Sequence, residues 1–189
     1  DLTGGAPFET LVAEAAAVPP GSDGLVMLPY FAGERTPIFD PQARGVIAGL
    51  SLRHGRGHLF RAGYEGIAYG IRQIIDFLSD EEAPISRLVA VGGGTQGGLW
   101  TQIVSDVTGR PQEIPEQTIG ASYGDALLAG IGTGLLPADT DWARIASVVE
   151  PRPEAQEAYE QLFTVFEELY PATKPQVHAL ASMQEAAHT

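Results

Sequence analysis

The chain has 189 residues and a net charge of −13, with 11 Lys and Arg against 24 Asp and Glu, so it lacks a basic patch for nucleic acid or an anionic membrane surface. It has no cysteine, which excludes a disulfide framework and favours a reducing compartment, the cytoplasm. No apolar run approaches the length of a membrane span, and the chain is long enough for one domain with its own core.

The first part of the chain predicts alternating helices and strands. A short helix over 8–18 ends at Pro19-Pro20-Gly21, and apolar strands are predicted over 25–30 and 45–52. A loop rich in Gly, Pro and charge joins the two strands. One long amphipathic helix is then predicted over 57–78, because apolar residues recur there at steps of three and four: Phe60, Tyr64, Ile67, Ile71, Ile74 and Leu78.

The most informative segment is a short apolar run, 88–91, that leads into glycines and then into a helix. The run is typical of a strand buried on both faces. Glycines leave the backbone open to a flat ligand or a phosphate, and here they are Gly92, Gly93, Gly94, Gly97 and Gly98. The helix that follows presents its free N–H groups and positive dipole end to this loop. The segment therefore predicts nucleotide binding.

Two alternatives to this interpretation of the glycine loop remain open. Residues 92–97 also read G-x-G-x-x-G, with Glu113 or Glu116 at about the distance of a ribose-binding acid, which is typical of an NAD-binding βαβ unit. Such a unit usually opens its fold, whereas this one lies mid-chain and only one further strand, 112–114, is predicted after it. A glycine-rich turn that binds nothing is the second alternative.

The last part of the chain reads mostly as helix. A helix full of small residues is predicted over 120–134, and its composition would allow close approach to a sheet or a ligand. Helices are also predicted over 141–149 and over 154–170, the latter with one apolar stripe. The residues from about Ser182 onward read as a frayed end.

Three further patterns admit both a functional and a purely structural interpretation. Residues 120–124 read G-x-S-x-G with Asp141 and His178 downstream, but no strand runs into Ser122, so we favour close packing over a hydrolase triad. His54 and His58 have the spacing of a metal pair but lack a third ligand, which favours solvated or capping histidines. The charged loop around Glu34, Arg35 and Thr36 is either a solvated connector or a loop that shapes a cleft.

Taken in order, these blocks resemble the C-terminal half of the FGGY family of carbohydrate kinases. G-E-R-T-P at 33–37 and D-P-x-A-R-G at 40–45 resemble a strand-following loop of that family. G-x-I-x-G-L at 45–50 with H-L-x-x-A-x-Y-E at 58–65 is similar to its second signature, apart from Gly63. The glycine loop with L-W-x-Q-I-x-x-D-V-x-G at 99–109 resembles its adenosine-binding segment, and Y-G-D-A-L-L-A at 123–129 resembles the helix that follows.

The resemblance implies an α/β fold, the C-terminal half of an actin/hexokinase/Hsp70-like (ribonuclease H-like) kinase fold, truncated at its N-terminal strands. Residues 1–137 would be part of the ATP-binding domain and 138–189 a helical extension of it. The implied activity is transfer of the γ-phosphate of ATP, with Mg²⁺, to a hydroxyl of a ketopentose or a related sugar or polyol. A non-catalytic nucleotide- or partner-binding module of the same fold is the alternative.

The resemblance also assigns residues. Gly93, Gly94 and Gly97 match the nucleotide contacts, and the loop of Glu34, Arg35 and Thr36 would shape the cleft. The catalytic Asp and both phosphate hairpins of the family have no match in this chain, which therefore holds no catalytic residue and no metal ligand, and should be inactive alone. We expect the 88–91 strand to lack its usual neighbour, so that the sheet is broken or re-paired, or is covered by another copy in a homo-oligomer.

Overall fold

The computed structural model describes residues 5–79, 85–117 and 120–187. Five helices and four strands follow one another in these residues: α1 (Phe8–Ala16), β1 (Val26–Leu28), β2 (Val46–Ala48), α2 (Arg56–Ser79), α3 (Leu99–Thr108), β3 (Gln112–Pro115), α4 (Gly120–Gly132), β4 (Ile145–Val149) and α5 (Pro153–Ala186). Short 3₁₀ turns occupy Ser22–Gly24 and Gly93–Thr95. None of the described helices combines the length and the apolar character that crossing a bilayer requires.

The strands form two separate antiparallel sheets of two strands each. Strand β1 pairs with β2, with Met27 opposite Ile47, and β3 pairs with β4, with Glu113 opposite Val148. Segment 88–91 is linked to β3 by one parallel bridge between Val89 and Glu113. Among the described residues the sheet is thus divided, which confirms the prediction of a broken sheet.

The prediction that segment 88–91 is buried on both faces is wrong. Val91 is 57% exposed, and Val89 is exposed as well. The reason is that β3 occupies one edge of the segment, whereas each of its faces borders an open cavity. One cavity lies toward Ile71, Ile75 and Trp100, and the other lies toward Tyr123 and Leu127.

The main hydrophobic core lies where α2, α3 and α5 meet β1. Aromatic rings of α5 pack against Tyr69 of α2, with centroid distances of 6.2 Å for Tyr159 and 5.2 Å for Phe166. Ile103 and Val107 add the buried face of α3. The predicted helix α2 and the apolar stripe of α5 are therefore confirmed. The buried face of α2 differs from the predicted stripe, because Ile67 and Leu78 are exposed and Tyr69 lies in the core.

Two predictions about the C-terminal region are wrong. Residues 145–149 form strand β4 rather than a helix, because Ile145, Val148 and Val149 are β-branched and β3 offers them a free edge. Helix α5 continues to Ala186, past Pro171 and Pro175, instead of ending near residue 170 with a frayed end from about Ser182. Contacts of its last turns with the loop between β1 and β2 outweigh the local effect of the prolines. The division of the chain at residue 137 stays a prediction.

A buried carboxylate holds a strained turn against the core. Residues 21–24 all have positive φ, including 49° at Ser22 and 53° at Asp23. The side chain of Glu65, 1% exposed, accepts hydrogen bonds from the Gly21 N–H at 2.9 Å and from Ser22 Oγ at 2.7 Å. It also accepts bonds from Arg61 Nε and Tyr159 Oη, so both of its oxygens are satisfied.

Candidate functional site

The glycine loop joins the end of segment 88–91 to the first turn of α3. Gly92, Gly97 and Gly98 have φ values of 90°, 91° and 73°, a region that side chains with a Cβ rarely adopt. Thr95 closes the loop on itself, since its N–H and its Oγ1 both donate to the Gly92 carbonyl, at 3.2 and 2.8 Å. The loop is therefore a defined turn whose shape depends on glycine.

The three glycines predicted to contact a nucleotide face different surroundings. A Cβ added at Gly93 or at Gly97 would meet no atom within 4 Å, so both face open space. A Cβ at Gly94 would lie 3.0 Å from Cδ1 of Trp100, so this glycine rests on the indole ring. Gly93 and Gly97 are thus free to receive a ligand, and Gly94 lets the loop lie flat on Trp100.

The loop lies at the edge of the fold where an anionic ligand is best accommodated. The parallel bridge between Val89 and Glu113 places Gly92 and the end of β3 at the same carboxyl edge, where open α/β sheets bind ligands. The N-cap of α3, Gly98, makes no side-chain capping bond, so no side chain competes for the first N–H groups of this helix.

Of the two acids that an NAD-binding interpretation offers, Glu113 is not arranged for that task. Glu113 lies within β3 and its carboxylate forms an ion pair with Arg87. Glu116 follows β3 and its N–H donates to the Arg144 carbonyl. A ribose-binding acid should instead follow its strand with a free carboxylate, and Glu113 does not meet that requirement.

An aromatic row supports the underside of the glycine loop. The ring of Trp100 contacts that of Tyr64 at a centroid distance of 5.1 Å, Tyr64 contacts Phe60 at 5.0 Å, and Phe60 contacts Phe8 at 5.8 Å. In the sequence these rings are only members of helical apolar patterns. Their alignment across α1, α2 and α3 depends on helix packing, which no local signal reports.

The loop between β1 and β2 forms an ordered turn that carries the other predicted site residues. The backbones of Glu34 and Asp40 exchange two hydrogen bonds, of 3.0 and 2.9 Å. Oε1 of Glu34 accepts the N–H groups of Arg35 and Thr36, which lie exposed at the tip. Beside the tip is an open cavity of about 390 Å³ that Phe39 and Pro41 also line. Glu34 and Arg35 thus line this cavity, whereas Thr36 follows them at the exposed tip.

Asp40 anchors this turn and has partners that the sequence did not reveal. Asp40 starts a turn, because its Oδ1 accepts the Gln42 N–H at 3.0 Å. Its Oδ2 also accepts bonds from Tyr170 Oη and His178 Nε2, each at 2.7 Å. Burial alone would raise the pKa of Asp40, but the hydrogen bonds from Tyr170 and His178 outweigh it and lower the pKa to about 2.

The hydrolase triad is not assembled. Ser122 lies exposed on α4, Asp141 is within 3.6 Å of Arg87, and His178 is bound to Asp40. The structure therefore separates the three residues. The prediction that Ser122 and the small residues of α4 pack closely is wrong as well, because Ser122 is exposed and no described residue of α4 is buried.

The two histidines before and within α2 serve as turn and capping residues. Nδ1 of His54 accepts the Ser51 N–H, and Nδ1 of His58 accepts the Gly55 N–H. Nε2 of each ring contacts Asp23, at its backbone carbonyl from His54 and at its carboxylate from His58, so both nitrogens of each ring have a protein partner. Within residues 5–79, 85–117 and 120–187 no group of three His, Cys, Asp or Glu side chains could hold a metal ion.

A glycine loop between a parallel-paired strand segment and an uncapped helix N-terminus is typical of nucleotide-binding α/β domains. Residues 3–133 match the family described as the FGGY family of carbohydrate kinases, C-terminal domain. The chain belongs to this family, and its fold is that of the C-terminal half of an actin/hexokinase-like kinase.

Similar proteins agree with this assignment. Xylulose kinase and gluconokinase of Bacillus subtilis are each 31% identical over 94% of this chain and 36% of their own length. The crystal structure of xylulose kinase from Rhodospirillum rubrum is 38% identical, with a TM-score of 0.78 over 93% of this chain and 36% of that one. The chain thus spans about a third of the length of the relatives it matches.

Proposed function

We propose that this chain is the ATP-binding part of a carbohydrate kinase that transfers the γ-phosphate of ATP to a hydroxyl of a ketopentose or a related sugar or polyol. The observation that carries the proposal is the glycine loop, in which Gly93 and Gly97 face open space beside the uncapped start of α3. Membership of the kinase family, and relatives that are named xylulose kinase and gluconokinase, support the choice of reaction.

In this proposal the adenosine of ATP lies against Gly93 and Gly97, with Gly94 between them on Trp100. Only a residue without a side chain lets the backbone approach a nucleotide so closely. The tip formed by Glu34, Arg35 and Thr36 faces the sugar side of the cleft.

Phosphoryl transfer also needs groups that we do not assign to this chain. Mg²⁺ neutralises the phosphate charge when ATP is bound. The described residues offer no cluster of acids for it, so we assign it no ligand here. We assign the catalytic base to the remaining two thirds of the kinase, so the chain alone should transfer no phosphate. The complete enzyme would work in the cytoplasm, as a homo-oligomer in which copies cover exposed apolar surface.

The test is a substitution that fills the nucleotide space without disturbing the fold. In the complete kinase, Gly93→Val should raise the KM for ATP by about tenfold or more, because a branched side chain occupies the open space, and should leave the sugar KM within about twofold. The melting temperature of the chain should stay unchanged, since a Cβ at Gly93 meets no protein atom.

The matched control is Gly55→Val. Gly55 is exposed, precedes a helix as the glycine loop does, and also faces open space, but it lies outside the proposed site. It should change neither KM. Equal effects of Gly93→Val on both KM values, or tighter binding of NAD⁺ than of ATP in isothermal titration, would contradict the proposal.

A further inference from the structure

Three side chains from successive turns of α5 converge on one carboxylate in the loop between β1 and β2. Residues four apart lie on one face of a helix, and Tyr170, Lys174 and His178 have this spacing. Tyr170 Oη and His178 Nε2 each lie 2.7 Å from Oδ2 of Asp40, and Lys174 Nζ lies 3.7 Å from it. Asp40 is 4% exposed.

These contacts exceed what a turn needs. An Asp that starts a turn needs only the bond from its own backbone two residues on, which the Gln42 N–H supplies here. Burying a carboxylate is costly unless hydrogen bonds and charge compensate for the lost water. The compensating hydrogen bonds come from Tyr170 and His178, which lie 130 and 138 residues further along the chain. These bonds therefore hold the loop against α5 and do more than shape the turn.

Hydrogen bonds connect Asp40 to the tip of the loop. Its backbone exchanges two hydrogen bonds with Glu34, and the Glu34 carboxylate in turn holds the N–H groups of Arg35 and Thr36. At the other end of the loop, Arg44 binds the Pro41 carbonyl and the side chain of Gln184 on α5, the latter at 3.2 Å. Helix α5 therefore contacts the base of the loop at two places.

We propose that Tyr170 and His178 are positioning residues: through Asp40 they hold the Arg35–Thr36 tip in the geometry that receives the substrate. This inference rests on the proposed function in one respect, namely that the tip faces the sugar. The anchoring itself is independent of any ligand, so the two can be tested separately.

The anchoring is tested by amide hydrogen exchange of the chain without ligands. In a variant that combines Tyr170→Phe with His178→Leu, exchange at the Glu34 and Asp40 amides should accelerate about tenfold or more, because the hydrogen bonds that fix them lose their support. Buried amides of α2 such as that of Ala68 should keep their rates. Unchanged exchange in the loop, or equal acceleration in α2, would overturn the proposal.

Two further variants separate positioning from simple packing. Tyr170→Phe with His178→Gln restores one donor to Asp40 and should recover most of the protection of the loop. Thr173→Val is the matched control on the same helix, because the Thr173 hydroxyl donates to the Leu169 carbonyl and not to Asp40. It should leave loop exchange unchanged, and a control effect as large as that of the double variant would count against anchoring.

The consequence for substrate is tested in the complete kinase. The double variant of Tyr170→Phe with His178→Leu should raise the sugar KM about tenfold while the ATP KM stays within about twofold. Faster loop exchange with both KM values unchanged would overturn the substrate role of the tip. A normal response of the ATP KM to Gly93→Val in the same protein would show that the proposed nucleotide function nevertheless stands.

Discussion

The region around Glu65 and the region around α4 are built in opposite ways. Glu65 has four hydrogen-bond donors in a core closed by α2 and α5. Helix α4 has no buried residue, and the adjacent segment 88–91 is half exposed. The stability of the domain is therefore concentrated in the first region, whereas the second region exposes surface to ligands or to further protein. We therefore expect equivalent substitutions to lower the free energy of unfolding by very different amounts in the two regions.

The largest effect is expected where the core holds a charge. Glu65→Gln removes the charge that balances Arg61 and should lower the free energy of unfolding by about 3–5 kcal/mol, because Arg61 stays buried without its ion-pair partner. Urea unfolding followed by circular dichroism measures the change. The control is Glu160→Gln, which weakens the ion pair of Arg72 at a carboxylate that is 62% exposed and should cost less than about 1 kcal/mol. Similar costs for both variants would refute the comparison.

A second pair of substitutions truncates one large apolar side chain to alanine in each region. Ile103→Ala opens a cavity in the core between α2, α3 and α5 and should cost about 2–5 kcal/mol. Leu128→Ala on α4 removes a side chain that is 68% exposed and should cost less than about 0.5 kcal/mol. Thermal and urea unfolding of both variants give the values. A cost at Leu128 comparable to that at Ile103 would mean that α4 is covered in solution, for instance by a second copy of the chain.

The smallest change in the free energy of unfolding is expected at the edge of the core, where Asp40 contacts α5. The pKa of Asp40 is about 2 in the folded chain against an ordinary 3.8, so its charge stabilises the fold above about pH 4, and this contribution is lost as the pH falls toward 2. Tyr170→Phe removes one of the hydrogen bonds responsible. It should cost about 1 kcal/mol at pH 6 and clearly less at pH 2.5. Unfolding in urea at the two pH values, with Thr173→Val as a pH-independent control, measures this difference, and a pH-independent cost would contradict it.

The elements that the sequence predicted well are those specified by local pattern. The steps of three and four that run from Phe60 to Leu78 are sufficient to define α2, and Gly109, with φ 63°, ends α3 as its residue type predicts. Strand β4 was missed because its state depends on pairing with β3, more than 30 residues earlier. The burial of segment 88–91 was overestimated for a related reason: an apolar run indicates a preference for burial, but neighbouring elements decide whether it is met.

In the candidate site, too, the sequence could identify some residues but not the contacts that support them. Gly92, Gly97 and Gly98 could be singled out because their backbone conformation is almost restricted to glycine. The support of Gly94 by Trp100, and of Asp40 by Tyr170 and His178, could not, because each contact joins residues that only the packed fold brings together. The type of a residue thus indicates which backbone conformation it can adopt, whereas the partners of its side chain depend on the whole fold.

The two prolines inside α5 bear on how the C-terminal end of the chain opens. Pro171 and Pro175 have no N–H, so the carbonyls of Glu167 and Pro171 lose their helical donors, and the last turns are joined to the rest of α5 by fewer hydrogen bonds. These turns can therefore unfold as a separate cooperative unit, and His178 goes with them. By thermodynamic linkage, a ligand that binds only the ordered Arg35–Thr36 tip must also reduce the frayed population of this helix end, because α5 is joined to the loop through Asp40 and through Arg44.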